Sequence, residues 1–152
     1  MKPAFSLSTP PIKTWYQALP KNSKIKWPVV EVGFRRGQDF LPQKILALID
    51  SGASSSIMHK ELAEVLGVDF KRMNKPKAGG SSVSGYYKYW TLNDFFPVEI
   101  YGYQFNFQFR VIDNANLFWP CILGEDSIFQ VAKLCFLKFK GYFEIQFRLD
   151  VN

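Results

Sequence analysis

Between Tyr103 and Ile112 the chain reads YQFNFQFRVI, in which Phe105, Phe107, Phe109 and Val111 alternate with Asn106, Gln108 and Arg110. A strand turns successive side chains to opposite faces, so a period of two demands a β-strand with one apolar and one polar face. Near the other end, Phe143, Ile145, Phe147 and Leu149 alternate with Glu144, Gln146 and Arg148. Each run follows a glycine, Gly102 or Gly141, and each is read as the second arm of a hairpin. The runs WPVVEVGF from Trp27, KILALI from Lys44 and YYKYWTL from Tyr86 add further strands, which commits the chain to a mainly β fold.

The one clear helical pattern is SSIMHKELAEVLG. Ile57, Leu62, Val65 and Leu66 form its apolar stripe, Ser55 or Ser56 its cap, and Gly67 its stop. A shorter helix is expected from Glu125. Strands and helices do not alternate in βαβ fashion, so a barrel or sandwich with one or two short helices is the expected architecture.

At 152 residues the chain fits one domain. Residues 1–24 hold Pro3, Pro10, Pro11 and Pro20 and read as an extended arm or a pro-segment, with Trp15 and Tyr16 able to anchor it on a domain of residues 25–152. No signal-type apolar core follows Lys2, and no run approaches the ~20 apolar residues a membrane span requires. A cytoplasmic protein without a membrane partner is expected. Cys121 and Cys135 are too few for a disulfide framework, and with His59 as the only histidine there is no zinc quartet, so both cysteines are read as reduced core thiols. The net charge of +6 is densest in FKRMNKPK, at Lys71, Arg72, Lys75 and Lys77. A solvated basic loop is the favoured reading there, and a nucleic-acid partner the less favoured one.

The functional question centres on KILALIDSGASSSIM. Apolar residues Ile45 to Ile49 run directly into Asp50 and a Ser-Gly turn. An ionised carboxylate at the end of a buried strand is costly unless something pairs with it or uses it. About seventy residues on, FWPCILGEDSIFQV brings a short apolar strand to Gly124, and between the two lies KAGGSSVSGYYKYW, a glycine-serine tip before an aromatic strand.

With these three pieces in this order, residues 27 to 149 resemble the retropepsin-like aspartic proteases. The resemblance implies a closed β-barrel with its active site at a homodimer interface, acting on a peptide or protein substrate with no cofactor and no metal. It implies Asp50 as the catalytic residue, with Ser51, Gly52 and Ala53 completing the D-[ST]-G-A turn and Ile122, Leu123 and Gly124 packing behind it. A flap closing over substrate would lie at Gly79, Gly80, Ser81, Ser82, Val83, Ser84 and Gly85. Only one Asp-Ser-Gly is present, so Asp50 from each of two subunits would share the site. In viral members an arginine follows the second motif's glycine and pairs with an aspartate four residues after the catalytic one; here those places hold Glu125 and Ser54, which brings the chain closer to cellular and bacterial members.

Two other functions fit the same residues. One is a retropepsin-like domain without peptidase activity, serving as a peptide-binding or scaffold module. The other is a basic β-barrel that stacks nucleic-acid bases on Tyr86, Tyr87, Tyr89 and Trp90. A serine nucleophile lacks a G-x-S-x-G elbow, and GSSVSGYY carries tyrosines where a phosphate loop needs Lys and Ser or Thr.

Overall fold

The computed structural model describes residues 8–19, 21–82, 85–114 and 117–150. The chain opens with β1 (Ile12–Trp15), β2 (Gln17–Leu19) and β3 (Asn22–Trp27), then β4 (Val29–Arg36), the two-residue β5 (Asp39–Phe40) and β6 (Ile45–Ile49). β7 (Ile57–His59) leads into α1 (Lys60–Val65). The hairpin of β8 (Lys77–Ser82) and β9 (Gly85–Thr91) follows, then that of β10 (Phe96–Ile100) and β11 (Tyr103–Phe107), and β12 (Arg110–Ile112). β13 (Cys121–Leu123) precedes α2 (Ile128–Val131), and β14 (Ala132–Leu137) pairs with β15 (Tyr142–Phe147).

One curled sheet runs in the order β11-β10-β4-β6-β13-β7-β12-β9-β8, with β5 beside β4. Both hairpins expected from alternation are present. Phe96 faces Phe107 and Ile100 faces Tyr103 across a turn in which Tyr101 and Gly102 have φ of 51° and 82°. Gly141, at φ 80°, closes the turn between β14 and β15. The alternating phenylalanines point inward: Phe105, Phe107, Phe109, Phe143 and Phe147 are buried, with Phe34, Met58 and Leu123 beside them in one core. Burying each such side chain contributes about 1.5–3 kcal/mol. Leu149 lies past the end of β15 and is exposed.

The helix read from Ser55 starts later than expected. Ile57 to His59 form β7, held in parallel by β12 on one side and antiparallel by β13 on the other. The helix begins only at Lys60, where the His59 ring accepts a hydrogen bond from the Glu61 amide as its N-cap. Ile57, Leu62 and Leu66 fit a helical period, but two flanking strands supply backbone partners that a helix could not use. The second helix is likewise short, Ile128–Val131, because Ala132 onward extends into β14.

A smaller sheet, β1-β15-β14, closes one side of the core. Ile12 faces Ile145, Trp15 faces Tyr142, and the buried Tyr16 ring meets Phe143 edge-on at 5.5 Å between centroids. Cys121 is buried on β13 and Cys135 is exposed on β14, so of two free thiols only the first is a core residue. Among the described residues no helix is long and apolar enough to cross a membrane.

Candidate active site

β6 buries Ala47, Leu48 and Ile49 and then releases the chain at the half-buried Asp50. The turn there is fixed by backbone donors. The Asp50 amide donates to the Leu123 carbonyl at 3.0 Å and the Ala53 amide to the Asp50 carbonyl at 3.2 Å. The Gly52 amide donates to Asp50 Oδ1 at 2.8 Å, which orients the carboxylate toward the turn.

The second motif lies directly against the first because β13 runs parallel to β6, with Cys121, Ile122 and Leu123 opposite Ala47, Leu48 and Ile49. Gly124 follows at the point of closest approach. A Cβ there would collide with the Ala53 carbonyl oxygen and come within 3.1 Å of the Ala53 Cβ. The Glu125 amide then donates to that same carbonyl at 2.8 Å. Only glycine fits this contact.

Behind the two loops sits a polar cluster that the sequence did not announce, made of the buried Ser56 and Ser127 and the exposed Asp126. Ser56 is fully buried; its amide donates to Asp126 Oδ1 at 2.7 Å and its hydroxyl to the same oxygen at 2.6 Å. The Gly124 amide donates to Ser56 Oγ at 3.0 Å. A serine hydroxyl has one proton, so with that proton on Asp126 the Ser127 hydroxyl, 2.6 Å away, is the donor to Ser56 Oγ. The places of the viral ion pair hold Ser54 and Glu125, and it is Ser56 and Asp126 that tie the loops together. Locally Ser56 fits a helix cap and Glu125 a helix start, and a Ser56–Asp126 pairing across 70 positions leaves no local signal.

Asp50 opens onto a cleft of about 620 Å³. Its walls include Trp27, Leu48, Ile57, Ile112, Phe118 and Ile122, with Gly52 and Ala53 beside the carboxylate and Arg110 and Tyr87 farther along. Trp27 and Trp119 meet edge-on at 6.2 Å, and Phe118 packs on Trp119 at 5.0 Å. These aromatic walls carry no sequence motif that could announce them. A larger groove of about 710 Å³ lies against α1, lined by Leu41, Ile45, Leu62, Val65 and His59. His59 is not a base in waiting: Nδ1 accepts from the Glu61 amide, and Nε2 donates to the Asn114 carbonyl at 3.2 Å.

Trp90 packs on Phe70 at 4.9 Å and donates its indole N–H to the Asn74 carbonyl at 3.1 Å, while Tyr89 lies against Arg110 and Tyr87 lines the cleft. Trp90 is thereby tied into the fold rather than held out as a stacking platform.

The Rickettsia conorii retropepsin-like aspartic protease has this architecture, matching 93% of this chain and 94% of its own with a TM-score of 0.60 at 17% identity. The fold is retropepsin-like. A retroviral protease-like domain of Ddi1 from Leishmania major aligns over 70% of this chain and 80% of its own, at 24% identity and a TM-score of 0.49. The EIAV protease, solved with the inhibitor HBY-793, aligns over 72% and 92% at 19% identity and the same TM-score. No protein-family model matches the sequence, and no curated protein matches it. At these identities the likeness is one of fold.

Within the retropepsin-like sheet, β8 and β9 form the outermost hairpin, and β8 is the terminal strand of the sheet order. Of the residues expected in a flap, Gly79, Gly80, Ser81 and Ser82 lie on β8 and Gly85 begins β9, with a register shift between Ala78 and Gly80. Val83 and Ser84 lie outside the described residues.

Proposed function

We propose that this chain is an aspartic endopeptidase whose catalytic centre is assembled from Asp50 of two copies. The observation that carries the reading is the Asp50 turn itself: a carboxylate oriented by the Gly52 amide, braced by Gly124 against Ala53, and opening onto an apolar cleft. Ser51, exposed beside it, is proposed to contact the partner's turn across the two-fold axis.

Two carboxylates a few ångströms apart cannot both ionise, so the pair holds one proton and titrates as a unit. The ionised member takes a proton from a water between them, and that water attacks the scissile carbonyl. The protonated member donates to the carbonyl oxygen, and the amine leaves after proton transfer. No covalent intermediate forms. A substrate strand is proposed to lie extended between the floor and the β8–β9 hairpin; β8, as the last strand of the sheet, offers an edge for backbone pairing. The net charge of +6 is not needed for this chemistry.

Incubating the wild-type protein and Asp50→Asn with a diverse peptide mixture, with products read by mass spectrometry, tests the reading. Wild-type protein is expected to cut and the variant to be silent while keeping the wild-type fold by circular dichroism. Cleavage by Asp50→Asn at the wild-type rate would remove Asp50 from the mechanism.

A further inference from the structure

Pairing registers place Leu48, Ile122, Ile57, Arg110 and Thr91 in one row across β6, β13, β7, β12 and β9. Residues opposite one another on paired strands share a face of the sheet, and Leu48, Ile122, Ile57 and Arg110 all line the cleft that holds Asp50. Among the described residues, Arg110 is the only cationic group on its walls and Asp50 the only acidic one. The alternation that buries Phe109 and Val111 in the core is what turns Arg110 the other way, into the cleft.

Arg110 is half-buried and its guanidinium is positioned. Its carbon stands 4.5 Å from the centre of the Tyr89 ring, a stacking contact that limits its rotamers. Among the described residues no carboxylate lies within ion-pair distance of it. A guanidinium held against an aromatic ring and facing an apolar groove gains most from a planar carboxylate, which can accept two parallel N–H bonds.

We propose that Arg110 is a specificity-determining residue that selects peptides carrying an aspartate or glutamate side chain among bulky apolar ones. The proposal rests on the reading of this cleft as a peptide site. Three strand spacings separate Leu48 from Arg110, roughly 14 Å, which an extended peptide covers in about four residues. Asp50 lies two residues beyond Leu48 along β6, so the acidic residue sits about four to five positions from the bond at Asp50, with apolar side chains between them against Ile57 and Ile122.

The test uses the Asp50→Asn protein, expected to bind without cutting. A pooled library of dodecapeptides, acetylated and amidated so that side chains are the only carboxylates, is passed over the immobilised protein and the retained fraction is sequenced by mass spectrometry. Asp and Glu should be enriched over Asn and Gln about tenfold at one position relative to the apolar residues, a preference of the size a charge-assisted hydrogen bond gives. The enrichment should vanish in Asp50→Asn/Arg110→Leu, survive in weakened form with Arg110→Lys, and turn to Lys and Arg with Arg110→Glu. Absence of acidic enrichment, or its persistence with Arg110→Leu, overturns the proposal. Wild-type protein that cuts peptides without an acidic preference would sink Arg110's role and leave the peptidase. Arg110-dependent binding of acidic peptides that wild-type protein never cuts would sink the peptidase and leave the site.

Discussion

Gly124 is seated against Ala53 so closely that a Cβ would overlap the Ala53 carbonyl oxygen. Two motifs 71 positions apart thus form one physical unit, because the backbone of the second is the back wall of the turn that carries Asp50. The Asp50 amide bonded to the Leu123 carbonyl and the Glu125 amide bonded to the Ala53 carbonyl lace the unit on both sides of the contact.

Replacing Gly124 by alanine or valine must push the Asp50 turn outward or open the β6–β13 pairing. Overpacking of a close contact costs about 1–3 kcal/mol. Urea titration should show that loss, and cleavage should fall further than stability, since the carboxylate is displaced as well. A Gly124→Val protein with wild-type stability would contradict the packing.

Ser56→Ala removes one hydroxyl that serves Asp126, Ser127 and the Gly124 amide together. Leaving buried donors and acceptors without partners costs about 1–3 kcal/mol. Asp126→Asn keeps a carbonyl oxygen for the Ser56 amide and hydroxyl, so it should cost less than Ser56→Ala by the same urea measurement. If the order is reversed, the Asp126 charge matters more than the hydrogen-bond geometry.

The two thiols should separate by reactivity. Burial pushes the Cys121 thiol far up from its ordinary pKa, so no thiolate is available near neutral pH, whereas Cys135 is exposed on β14. A colorimetric disulfide reagent at pH 8 should titrate one thiol quickly in the native protein and the second only in denaturant. Two fast thiols would mean that the β13 region opens readily.

Deleting residues 1–24 separates an arm that belongs to the fold from a pro-segment. β1 covers β15 and Tyr16 packs on Phe143, and truncating a buried aromatic costs about 3–5 kcal/mol. Deletion is therefore expected to lower Tm and to increase binding of a hydrophobic dye. An unchanged Tm with a gain in cleavage would mark a pro-segment instead.

Local periodicity carried much of the fold. The alternating phenylalanines of β11 and β15 could satisfy only strands, and the glycines at 102 and 141 fall where the turns need positive φ. The Asp50 turn and Gly124 were legible because each is a short motif with a steric reason. What stayed hidden depends on distant pairing. Ile57 to His59 look helical until β12 and β13 are known to flank them, and nothing near Ser56 reveals Asp126. Likewise Ile12 finds Ile145, and Trp27 finds Trp119, only through the assembled sheets. Arg110 was visible as a polar alternate; its place beside Leu48, Ile122 and Ile57 needed the register.

The central claim is that two copies of Asp50 make one site, and subunit mixing tests it most directly. Wild-type and Asp50→Asn chains are combined at fixed total concentration, allowed to exchange, and assayed for peptide cleavage. If each active unit needs Asp50 from both subunits, activity follows the square of the wild-type fraction and falls to about one quarter at equal mixing. A linear fall, to about one half, would show that a single Asp50 suffices and would contradict the shared site.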